Sequence, residues 1–77
     1  MIDAGQIRAA RAFLEWSQTE LGEKAGLSPQ TIKRMEALGP GRSSMDNVAA
    51  VQSALESAGV VFLPDDGAGI GLRFSAG

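Results

Sequence analysis

The sequence predicts a mainly α fold, four short helices in a row, closed by a C-terminal two-stranded β hairpin. Three observations predict it. Helix-capping residues recur at Asp3, Ser17, Ser28 and Ser44, each ahead of a stretch with helical apolar spacing. Gly26 falls between two of those stretches, where a helix commonly ends on a left-handed residue. Beyond Gly59 the apolar period shortens to two, the period of a strand.

The first helix is expected over about 4–15. Asp3 and Gln6 have capping-box spacing, and Ile2 with Ile7 sits where a hydrophobic staple would. Ile7, Ala10 and Leu14 form its apolar face, with Phe13 beside them. Ser17 and Glu20 make a second box, with Trp16 and Leu21 as its staple, and Gly26 ends that short helix after Ala25. The staple position assigns Trp16 to the core and not to base stacking. Gly22 lies inside this helix at a cost of about 0.5–1 kcal/mol relative to Ala, which points to a close approach by the next helix. Ser28 and Pro29 open the third helix, about 29–37, with Leu27 and Ile32 again at staple spacing. Residues 38–43 read as a loop. Ser44 caps a fourth helix, about 45–58, with Val48, Val51, Leu55 and Ala58 as its buried stripe. Strands at 60–63 and 70–74 then flank a turn at 64–69.

Seventy-seven residues with 44% apolar content make one small folded domain, near the lower limit for a self-sufficient core. The absence of Cys and His excludes disulfides, thiolate metal sites and the commonest general base. Asp65 and Asp66 fall far short of the roughly 6–8 oxygen ligands calcium takes, so no metal or other cofactor is expected. No small-molecule ligand is evident, and nothing looks catalytic. No apolar run nears the roughly 18 residues of a membrane span and no signal pattern opens the chain, so the expected location is the cytoplasm. The net charge is −2, but residues 1–44 carry +1 and residues 45–77 carry −3. Any contact with nucleic acid must therefore come from a local patch.

That patch is expected on the third helix. Ile32 and Met35 point one way, while Gln30, Lys33, Arg34 and Ala37 point the other, with Thr31 near the boundary. Gln suits adenine and Arg or Lys suits guanine in the major groove. Two short helices joined by a glycine turn are the frame that delivers such a face, a helix-turn-helix.

The run W-S-Q-x-E-L-x-x-x-A-G-L-S-x-x-T-I-x-x-x-E, with I-R-A-A-R-A-x-L before it, resembles the Cro and phage-repressor (XRE-type) helix-turn-helix family over about residues 3–58. The resemblance implies a four-helix lambda-repressor-like DNA-binding domain whose partner is double-stranded DNA. It makes Gln18 a phosphate-clamping position and places Ser28, Gln30, Thr31, Lys33 and Arg34 in the recognition segment. Arg42 matches a loop region that commonly touches backbone or minor groove, and Arg11 with Glu36 matches an internal salt bridge. The sequence departs from the family pattern at Gly22, where Ala is usual, and at Pro29, where a reading side chain often sits. Residues 60–77 also stand where the family has its final helix or helices.

The expected organisation is thus a DNA-binding domain, 1–58, and a tail, 59–77. Small size, weak charge and an apolar tail motivate a homodimeric repressor on an inverted repeat. The tail's Val60, Val61, Phe62, Leu63, Ile70, Leu72 and Phe74 are the expected subunit contact. The competing expectation is a protein-interaction module, of antitoxin or anti-activator type, that uses the tail edge. Because an isolated hairpin is marginal in water, the tail must pack on the helices, on another subunit, or on both.

Overall fold

The computed structural model describes residues 2–63, 67 and 71–74. Helices α1 (Ala4–Phe13), α2 (Gln18–Ala25), α3 (Pro29–Leu38) and α4 (Met45–Ser57) precede strands β1 (Val60–Leu63) and β2 (Gly71–Phe74). All four expected capping residues cap. Asp3 accepts from the Gln6 amide at 2.8 Å, Ser17 from Glu20 at 3.0 Å, Ser28 from Thr31 at 3.2 Å and Ser44 from Asn47 at 3.1 Å. The side chains of Gln6 and Glu20 reach back to Asp3 and Ser17, completing both boxes.

Helix α1 stops two residues short of its expected end. Glu15 takes a left-handed φ of 58°, and the amides of Glu15 and Trp16 return to the carbonyls of Ala12 and Arg11. This is a Schellman closure with Glu where Gly is usual, so composition does not announce it. Gly26, with φ of 73°, closes α2 as expected. The loop after α3 contains one 3₁₀ turn, Pro40–Arg42.

The core is built from Ile2, Ile7, Ala10, Leu21, Ile32, Met35, Val48, Val51, Leu55 and Val60. Leu14 and Trp16 pack against it, and Lys24 Nζ lies 5.5 Å from the Trp16 ring centroid. Gly22 does face a close approach, but from the turn ahead of α3 and not from the helix itself. A Cβ at position 22 would lie 2.6 Å from the carbonyl oxygen of Leu27, which a side chain cannot displace without moving backbone. Phe13 does not join the core. It is 62% exposed and stacks on Phe74, with centroids 3.5 Å apart.

Strands β1 and β2 pair antiparallel, Val60 opposite Phe74 and Phe62 opposite Leu72. These four share one face of the hairpin, and that face lies on the helices. Val60 is in the core, and Phe62, Leu72 and Phe74 pack against it. Gln6 Nε2 donates to the carbonyl of Gly71 at 2.9 Å, pinning the start of β2 to α1. The tail's apolar face is therefore largely used within the chain. In particular the Val60 side chain, expected at a subunit contact, is 2% exposed and has no surface to offer a partner. The opposite face carries Val61 and Leu63, opposite Arg73 and Gly71. Ile70 and the turn residues Asp65 and Asp66 lie outside the described residues.

Candidate nucleic-acid interface

Helix α3 is fixed from behind through Glu36. Its side chain is 4% exposed, and the carboxylate accepts from Arg11 Nε at 2.8 Å and from Arg11 Nη2 at 2.9 Å, a bidentate pair that ties α3 to α1. Arg11 Nη1 also donates to the Trp16 carbonyl at 3.1 Å, joining the turn between α1 and α2 to the same cluster. The hydrogen bond that Arg11 donates to Glu36 raises the Arg11 pKa, desolvation opposes this, and the carboxylate's charge adds to the rise. Two further groups converge here that the sequence does not place. Arg8 donates to the backbone carbonyl of Glu36, and Gln18 Nε2 donates to the Glu36 carboxylate at 3.3 Å.

With Ile32, Met35 and Glu36 buried, the other side of α3 faces out. Gln30, Lys33, Arg34 and Ala37 are all exposed there. They line an open groove of about 660 Å³ between α3 and the start of α4. Leu38 also lines it, as do Arg42 and Ser43 of the connecting loop. Ser44 and Asn47, at the start of α4, line it as well. Among the described residues, three cations and no carboxylate line this groove, on a chain whose net charge is −2.

The expected site residues fall into three groups. Gln30, Thr31, Lys33, Arg34 and Arg42 meet at the groove. Ser28 sits at the start of α3, its hydroxyl accepting from the Thr31 amide and lying 3.0 Å from the Thr31 hydroxyl. Gln18 is half-buried outside the groove, with its amide on Glu36. Ser43, Ser44 and Asn47 join the groove without having been expected there. Ser44 was legible as a helix cap, but no local signal brings the start of α4 beside α3.

A helix-turn-helix family model matches residues 7–57, about two thirds of the chain. This chain belongs to the XRE-type helix-turn-helix family. No curated protein matches it. The XRE-type family is one of DNA-binding regulators, so double-stranded DNA is the partner that membership supports. The match spans α1 to α4 and stops before the hairpin, so the tail stands outside what the XRE-type frame accounts for. Among the described residues no helix is long and apolar enough to cross a membrane.

Proposed function

We propose that this protein is a cytoplasmic transcriptional repressor that binds an inverted-repeat operator as a homodimer, with α3 in the major groove. The observation that carries the reading is the groove where Gln30 and Arg34 project beside Lys33 and Arg42, with no carboxylate lining it among the described residues. Gln30 is suited to a bidentate contact with adenine and Arg34 to one with guanine. Lys33, Arg42 and the start of α4 are suited to phosphates, with Ser28 and Thr31 at the entrance of the helix. Gln18 adds the first turn of α2 to the phosphate contacts, braced through Glu36.

Selection from random-sequence duplexes tests this directly. A half-site containing guanine should be enriched, and two copies should appear in inverted orientation. The salt slope of binding should fall by about 0.9 per subunit for each of Lys33→Ala and Arg42→Ala. An enriched pool with no shared half-site, or slopes unmoved by both changes, would count against α3 as the reader.

Dimerisation rests on the hairpin face that the core leaves free. Leu63 is 38% exposed on that face, next to Val61. Leu63→Glu should convert a sedimenting dimer to a monomer, weaken operator binding at least tenfold, and make the melting temperature independent of protein concentration. A mass unchanged by this substitution would move the subunit contact elsewhere.

A further inference from the structure

We propose that Ala37 and Leu38 read the 5-methyl group of a thymine, adding an apolar test to the hydrogen-bonding contacts of Gln30 and Arg34. The inference rests on α3 lying in the major groove. Gln30, Arg34 and Ala37 stand at i, i+4 and i+7, a single line down the exposed side of α3. At about 1.5 Å per residue, Arg34 lies about 6 Å beyond Gln30 along the axis, and Ala37 about 4.5 Å beyond Arg34. Base pairs follow one another at about 3.4 Å. A base pair one or two steps past the one met by Arg34 is therefore offered a methyl group, not a donor or acceptor.

Leu38 enlarges that apolar end. It is 61% exposed, and it lines the same groove as Lys33, Arg34 and Arg42. A lone exposed leucine is ordinary on any surface. Here the leucine adjoins an exposed alanine inside a groove otherwise lined by cations and polar groups, where water and counterions are displaced when a duplex binds. Of the major-groove edges, thymine alone presents a methyl group to such a patch.

Deoxyuridine differs from thymidine only by that methyl, which gives a clean test on a selected operator duplex. Each thymine is replaced in turn by deoxyuridine and the dissociation constant measured. One thymine in each half-site should show a loss of about fourfold, the worth of one buried carbon at about 0.8 kcal/mol. Leu38→Ala with Ala37→Ser should abolish the difference between thymine and uracil at that position and keep the guanine preference of Arg34. Met45→Ala serves as the control, because Met45 is 80% exposed but does not line the groove, and it should leave the difference intact. Neutral replacement at every thymine overturns the proposal, as does a difference that survives in the double variant. A failure of the underlying reading shows separately, as a guanine preference that persists when Arg34 is replaced by Ala.

Discussion

Replacing Glu36 with Ala is expected to remove about 3 kcal/mol of stability, at the lower end of the range for breaking a buried ion pair from one side. The lower end applies because the Arg11 side chain keeps 23% of its surface in water, whereas that of Glu36 keeps 4%. The loss has three parts in the structure. The Arg11 guanidinium loses a bidentate acceptor, Gln18 loses its side-chain acceptor, and a cavity opens between α1, α2 and α3. A domain of this size holds roughly 4–12 kcal/mol in total, so a quarter or more would go. Urea unfolding reads the loss, and the melting temperature should fall by about 12 °C or more. Pairing Arg11→Met with Glu36→Met should recover much of it, because no charge is then left without its partner. A loss under about 1 kcal/mol for the single change would show that α3 is held by its apolar side alone. The sign of the pH dependence follows from the raised Arg11 pKa. The arginine's contribution is complete below its unfolded value and fades only as pH rises through the higher folded one. From the arginine's side, stability should therefore be flat across neutral pH and weaken only in strong alkali.

That network also marks where the sequence stops being legible. Local chemistry is enough to locate all four helices, because Asp3, Ser17, Ser28 and Ser44 each cap through a contact three residues away. The outward side of α3 is legible for the same reason, since Ile32 and Met35 orient the helix and leave Gln30, Lys33 and Arg34 opposite. Contacts between elements are harder. Arg8 looks like a surface residue on its own helix, yet it holds the carbonyl of Glu36 across 28 positions of chain. Gln18 looks unattached at the start of its helix, yet its amide donates to the carboxylate that braces α3. Alternation in the tail shows that one face is apolar but not what covers it. The coverage is internal, with Val60 in the core and Gln6 gripping Gly71. The helix ends divide in the same way. Gly26 signals the end of α2, whereas the left-handed turn at Glu15 carries no compositional mark.

If α3 reads bases, Arg34→Ala should cost binding without costing stability, the reverse of the change at Glu36. Arg34 is exposed and lines the groove. Its removal should leave the unfolding free energy within about 0.5 kcal/mol of the parent. A bidentate contact to guanine is worth about 1–3 kcal/mol of discrimination. The proposed homodimer would make the contact twice, so the operator loses about 2–6 kcal/mol, a fall of roughly thirtyfold to twenty-thousandfold. Lys33→Ala sets the contrast, because removing a cation from a phosphate weakens every duplex alike and lowers the salt slope by about 0.9 per subunit. The two arms separate base reading from simple attraction to the backbone. Arg34→Ala should bring the affinity for the operator toward that for unrelated duplex, whereas Lys33→Ala should lower both and keep their ratio. Gel shifts against the selected operator and against one with its guanine replaced give that ratio. An Arg34→Ala protein that still prefers the guanine would transfer base reading away from this side chain, however basic the groove around it.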